Sequence, residues 1–234
     1  MTTYGQFCPV AKAMELLDER WTLLVVRELL MGSRHFNELR RGVPRMSPAL
    51  LSKRLRTLVR AGVVERHEDG NRVVYELTAA GQELRPIVES LGAWGVRWVP
   101  ELGDADLDPH LLLWDMHRSV EVAAVPDRRV VVRFTFAARP VGARDWWMVL
   151  TRDGADVCDE DPGFAVDVTV LADLRTLTSV WRGDLAWGAA LRSGRVELQG
   201  PSHLCRVLPR WFTPSPFAAV PRPRPLAGSP AASG

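Results

Sequence analysis

The chain has 234 residues, 30 of them basic and 28 acidic, for a net charge of +2, and it carries three cysteines. That length allows one or two domains with real cores, and so small a net charge does not by itself suggest a nucleic-acid binder. Three scattered cysteines, Cys8, Cys158 and Cys205, exclude a disulfide framework and a zinc site. No basic-then-apolar leader opens the sequence and no apolar run reaches bilayer length, so a cytoplasmic protein with no membrane partner is expected.

In chain order, Cys8-Pro9-Val10 leads into a helical pattern of Val10, Ala13, Met14 and Leu17. A second helix over 20–31 turns Trp21, Leu24, Val25 and Leu29 toward a core and ends at Gly32 and Ser33. Residues 36–42 read as a short helix closed by Gly42, followed by a turn over 43–46. The next helix opens on Ser47, which can cap free N–H groups. Pro48 follows at the first helical position, where its missing N–H costs nothing. Leu51, Leu55 and Leu58 recur at i, i+4 and i+7 as one apolar stripe, while Ala49, Ser52, Lys53, Arg56 and Arg60 share the other side. Two helices joined by so short a turn make a helix-turn-helix unit. Small residues near the N-terminus of an exposed face, with bases further along it, suit entry into a DNA major groove. An ordinary amphipathic surface helix would show the same stripe.

The surrounding charge tips that balance. Residues 34–66 hold nine bases against Glu38 and Glu65 alone, whereas 101–234 hold 15 basic and 17 acidic residues. The excess is therefore local and marks an anion-facing surface. Alternating runs over 63–68 and 72–77 flank Asp69-Gly70, a two-residue hairpin signal, so a wing follows the helix-turn-helix. Thr78 then caps a long helix to Trp98 carrying Leu84, Val88, Leu91, Trp94 and Trp98, more apolar than a small domain needs and thus a candidate subunit interface.

These residues resemble the HxlR-type winged helix-turn-helix regulators. The resemblance covers 8–98 and is carried by Cys8-Pro9-Val10, Arg20-Trp21-Thr22-Leu23-Leu24, Arg27-Glu28-Leu29, Arg34-His35-Phe36-Asn37-Glu38-Leu39, Leu50-Leu51-Ser52-Lys53-Arg54-Leu55, Gly62-Val63-Val64-Glu65-Arg66 and Tyr75-Glu76-Leu77-Thr78. The hairpin is shorter than the proline-containing wing common in that family, which leaves Arg72 and His67 as the residues that could reach a phosphate. The resemblance also puts Cys8 near the place where some relatives keep a redox-sensing thiol; a small buried residue anchoring the arm is the competing account.

Residues 100–109 are acidic and unperiodic and read as a linker. Beyond it come a helix over 111–120, strands over 130–136, 146–151 and 166–170, helices over 171–181 and 184–191, a strand over 195–198 and a helix over 201–211. Residues 213–234 are rich in Pro, Ala, Gly and Ser and read as a disordered tail. From about 128 to 211 the text resembles a sterol-carrier-protein-like lipid-binding domain. It is carried by Phe164-Ala165-Val166-Asp167-Val168-Thr169-Val170, by Leu174 through Leu185, and by Ala189-Ala190-Leu191-Arg192-Ser193-Gly194-Arg195 onward to Pro201. That resemblance implies an apolar cavity, with Trp146, Trp181 and Trp187 as lining candidates; a plain aromatic core is the alternative.

The expectation is therefore an α+β chain: a winged helix-turn-helix over 1–99, a linker over 100–109, a sterol-carrier-like domain over 110–212 and a tail. Its function would be that of a homodimeric transcriptional regulator on a pseudo-palindromic double-stranded operator, with an apolar small-molecule effector in the second domain. Arg40, Arg41, Arg45, Ser47, Ala49, Ser52, Lys53, Arg56, Arg60 and Arg72 are the DNA-facing candidates. A lipid or small-molecule carrier whose N-terminal domain serves association alone is the rival account. No phosphate loop, nucleophile elbow or His-Glu-x-x-His is present, so no catalytic residue, metal or cofactor is expected.

Overall fold

The computed structural model describes residues 3–99, 102–136 and 145–222. Its first half runs α1 (Pro9–Leu17), α2 (Thr22–Leu30), α3 (Phe36–Gly42), α4 (Pro48–Arg60), β1 (Val64–Asp69), β2 (Arg72–Leu77), α5 (Ala79–Gln82) and α6 (Arg85–Trp98). Its core gathers Val25, Val26 and Leu29 of α2, Leu39 of α3, Leu51, Leu55 and Leu58 of α4, and Val64 of β1. In α2 it is Val26 that is buried, while Leu24 stays 43% exposed. Trp21, the expected core residue before α2, is half-buried in the left-handed region with φ 81°.

The hairpin pairs Asp69 with Arg72, so the turn is Gly70-Asn71, one residue later than the Asp69-Gly70 expectation. Gly70 supplies φ +59°, a conformation that an L side chain disfavours. The single helix expected over 78–98 is two. Thr78 caps the four-residue α5 through its Oγ, which accepts the Gly81 N–H at 3.2 Å. Pro86, lacking an N–H, then starts α6 afresh.

After a 3₁₀ turn at Asp104–Asp106, the second half runs α7 (Pro109–His117), β3 (Val130–Phe136), β4 (Trp146–Thr151), β5 (Gly154–Cys158), β6 (Val168–Ala172), α8 (Leu174–Trp181), α9 (Trp187–Arg192), β7 (Val196–Gln199) and α10 (Ser202–Val207). The sheet order is β5-β4-β3-β6-β7, with β3 and β6 parallel and every other pair antiparallel. Strand β4 shows the period-two rule: Trp146, Met148 and Leu150 are buried while Trp147, Val149 and Thr151 are half-exposed on the other face. Strand β5 was not expected; its sequence, Gly-Ala-Asp-Val-Cys, buries only Val157 and so shows no alternation to read. Strand β6 starts at Val168 rather than 166, and α8 starts at Leu174 because Asp173 caps it, accepting the Thr176 N–H at 2.7 Å. The second core closes on Phe134, Met148, Leu150, Val170, Leu177 and Trp211.

Residues 213–222, expected as the start of a disordered tail, are held against the fold. The Ser215 N–H donates to the Trp181 carbonyl at 2.9 Å, and Arg222 pairs with Asp184 at 2.7 Å. Phe217 lies against Gly92 of α6 and Ala218 against Gly183, both places where a Cβ would collide. Residues 223–234 lie outside the described residues, as do 100 and 101 of the expected linker. Among the described residues no helix is long and apolar enough to cross a membrane, and no three His, Cys, Asp or Glu side chains cluster to hold a metal ion.

Candidate nucleic-acid interface and domain junction

Helix α4 is built by its ends and its stripe. Ser47 Oγ accepts the Leu50 N–H at 3.3 Å and Pro48 takes the first turn. Leu51, Leu55 and Leu58 are at most 1% exposed, which pins the helix by one side. The other side is left to solvent: Ser47, Ala49, Lys53, Arg56 and Arg60 are exposed and Ser52 half-buried. Among the described residues Arg60 reaches only Thr57 Oγ1, at 3.4 Å. Lys53 and Arg56 have no carboxylate or hydrogen-bond partner among the described residues.

The tertiary structure redistributes the basic excess of 34–66. Arg34 pairs with Glu76 at 2.9 Å, Arg66 with Glu68 at 3.3 Å and Arg41 with Asp156 at 3.8 Å, while Arg54 is buried against Glu19 and donates to the Arg20 carbonyl at 3.2 Å. These partners come from outside the window, so four of the nine charges are matched in the fold. Arg45 donates to the Ala105 carbonyl, tying it to the segment before α7. Arg41 also lies over the Trp114 ring, 5.2 Å from its centroid, and so is engaged by the second half of the chain. Arg72 is exposed at the start of β2, opposite Asp69. The fold thus brings Ala49, Lys53, Arg56 and Arg60 together on α4 and sets Arg40 and Arg41 apart, on α3.

Cys8 is half-buried at the N-cap of α1, and its side chain caps nothing there. Of the tryptophans, Trp181 is buried in the second core. Trp187 is half-buried, stacked on Phe212 at 6.4 Å. Both rings belong to the apolar packing of the second half. Trp146 is buried in the same core and also meets the junction between the halves, stacked on His110 of α7 at 5.5 Å.

That junction has a residue the sequence reasoning missed. Glu28 of α2 is fully buried. Its carboxylate accepts from Arg118, from Trp114 Nε1 at 3.4 Å and from Ser33 Oγ at 3.4 Å, and faces Arg27 at 3.3 Å. Arg27 in turn reaches Asp115 at 2.6 Å, so α2 and the end of α7 exchange charges reciprocally: acid to base and base to acid. Burial opposes the charge on Arg27, but Asp115 and Glu28 outweigh it and raise its pKa above the ordinary value. Gly42 belongs to the same arrangement, since a Cβ there would overlap the Glu28 carboxylate. The signal was present: Glu28 lies three residues after Val25 on the buried side of α2, where a carboxylate needs partners. Nearby, burial pushes the His117 imidazole down to about 4, against a hydrogen bond to the Trp114 carbonyl that pulls it up.

The HxlR-like helix-turn-helix family model matches residues 16–102. The uncharacterized HTH-type transcriptional regulator YvaP of Bacillus subtilis is 38% identical over 99 residues, 41% of this chain and 92% of its own length. An uncharacterized HTH-type transcriptional regulator of Synechocystis is 36% identical over 100 residues, 42% of this chain and 74% of its own. Among solved structures, the reduced form of the transcriptional regulator YodB from Bacillus subtilis is similar, with 31% identity, 42% of this chain and 100% of that chain covered, and a TM-score of 0.36. More than half of this chain lies outside each of these matches.

Proposed function

The chain belongs to the HxlR-like helix-turn-helix family, and from that premise we propose that it is a sequence-specific transcriptional regulator that reads DNA with α4 as a homodimer. The observation that carries the proposal is the capped helix α4, pinned by a buried leucine stripe and presenting Ala49, Lys53, Arg56 and Arg60 outward. A major groove accepts such a helix, with side chains near its N-terminus reaching base edges and later bases reaching phosphates. Arg72 on the wing and Arg60 at the end of α4 are phosphate-side candidates. Arg40 is a further one, while Arg41 and Arg45 are weaker because both are already engaged elsewhere in the fold. The test is recovery and sequencing of genomic fragments retained by the full chain. A shared pseudo-palindromic site would support the reading, and retention without any common sequence would overturn it.

Dimerisation is supported by α6. None of its residues is buried, and Ile87, Leu91, Trp94 and Trp98 are 51–59% exposed along one face. Tyr4 and Phe7 of the N-terminal arm are exposed as well, and α1 and α6 both pack on α2. So large an apolar set on the surface calls for a partner, and a second copy is the one that two-fold operators require. Sedimentation should show a dimer that Trp94→Asp turns into monomers; a wild type that stays monomeric at micromolar concentration would remove the proposal.

The second half is read as a sterol-carrier-like domain with a regulatory role. A five-stranded mixed sheet with α8 and α9 between its last two strands supports the architecture. The packing of Trp181 and Trp187 directs the search for an effector away from the sheet's core. Cys8 as a thiol sensor remains a proposal with one test: an oxidant should alter DNA affinity in the wild type and not in Cys8→Ser.

A further inference from the structure

Between α3 and the second half lies a half-open cleft of about 520 Å³, within the range of small-molecule sites. One wall comes from the helix-turn-helix and includes Asn37, Arg40 and Arg41; the other includes His110, Trp146 and Asp159. The second wall combines an aromatic pair with the Asp159 carboxylate. The His110 and Trp146 rings stack 5.5 Å apart with only 19° between their planes. Burial, helped by the positive charges of Arg41 and Arg40, lowers the proton affinity of His110 despite Asp108 and Asp159.

The opposite wall is cationic. Consecutive residues on a helix diverge by about 100°, yet both Arg40 and Arg41 line this space. Arg41 is shared between Asp156 and the Trp114 ring. Arg40 is exposed and has no ion pair or hydrogen bond among the described residues. A guanidinium with no acceptor among the described residues, facing a stacked aromatic pair, suits a carboxylate that receives the bidentate fork and is carried on a flat ring.

We propose that this cleft binds a planar aromatic carboxylate, its carboxylate on Arg40 and its ring extending the His110–Trp146 stack. Because α3 is the first helix of the helix-turn-helix and α7 belongs to the second half, such a ligand touches both halves at once. It would favour the relative placement in which the two walls are apposed. The site rests on the reading of the second half as regulatory and not on α4 touching DNA, so its test is run without DNA.

The experiment is calorimetric titration of the full chain with 2-naphthoate, alongside 2-naphthylmethanol, which keeps the ring and lacks the charge. Naphthoate should bind one per chain and quench tryptophan fluorescence. Arg40→Gln and the neutral alcohol should each weaken binding by about tenfold or more, as the loss of a charge-assisted hydrogen bond requires. Lys53→Gln, on α4, should bind like the wild type. Equal affinity for the acid and the alcohol, an unchanged affinity in Arg40→Gln, or an equal loss in Lys53→Gln would overturn the site, as would no binding at millimolar acid. Arg40 is exposed, so its substitution leaves the fold intact; matching melting curves for the two proteins check that.

Discussion

Helices α4 and α6 have the same kind of sequence and opposite fates. Each carries an apolar stripe at helical spacing beside polar residues. In α4 the stripe is buried under the first core and the bases face out. In α6 only the first turns, around Leu84 and Val88, pack on that core, and the stripe from Ile87 to Trp98 faces out. Periodicity says that a helix has two faces; it does not say which of them the chain can cover. The partner for the α4 stripe lies within the chain, on α2 and β1. The stripe of α6 has none among the described residues, which is why α4 reads as a surface for an anion and α6 as a surface for another copy.

The largest effect tests where this contrast reverses, on α2, which covers a carboxylate. Glu28→Ala leaves the Arg118 and Arg27 charges buried without it and should cost about 3–5 kcal/mol in chemical denaturation. A loss within about 0.5 kcal/mol would mean that the charge exchange between α2 and α7 contributes no stability. Next comes the contrast itself. Leu55→Ala should destabilise by about 2–5 kcal/mol, while Leu91→Ala, measured at a dilution where the chain is monomeric, should stay within about 0.5 kcal/mol of wild type. Equal losses would place both stripes in a core. On the outward face of α4, Lys53→Ala and Arg56→Ala should leave stability unchanged. Each should cut the salt slope of DNA binding by about one unit or relax one operator position by about 1–3 kcal/mol.

The smallest effect is in acid. The folded-state pKa of His117 is depressed to about 4 by burial, below its unfolded value of about 6.5, so the native state holds it neutral. Its stabilising contribution is complete above about pH 6.5 and is lost as pH falls toward 4, because the unfolded chain binds the extra proton. Discounted for partial exposure, the loss is on the order of 2 kcal/mol. His117→Phe should flatten that part of the stability profile, and an unchanged profile would assign the acid sensitivity to other groups.

The sequence alone determined what depends on neighbours a few residues away. Ser47 and Pro48 announce α4, its leucine stripe announces the buried side, and the alternation of 72–77 and 146–151 announces strands, because caps and period-two or period-3.6 patterns are local. The break before α6 was legible too, in Pro86, although the apolar spacing that runs through it suggested one continuous helix. Tertiary structure decided the rest. Which bases stay free could not be read from residues 34–66, since Glu19, Glu68, Glu76 and Asp156 reach their partners from elsewhere in the chain. The same holds for Trp181 and Trp146: both are buried in the second core, but only Trp146 also borders the cleft between the halves, and only the packing of one half against the other gives it that second surface. Charge and aromatic surface act through space, and a linear sequence does not contain the distances on which they depend.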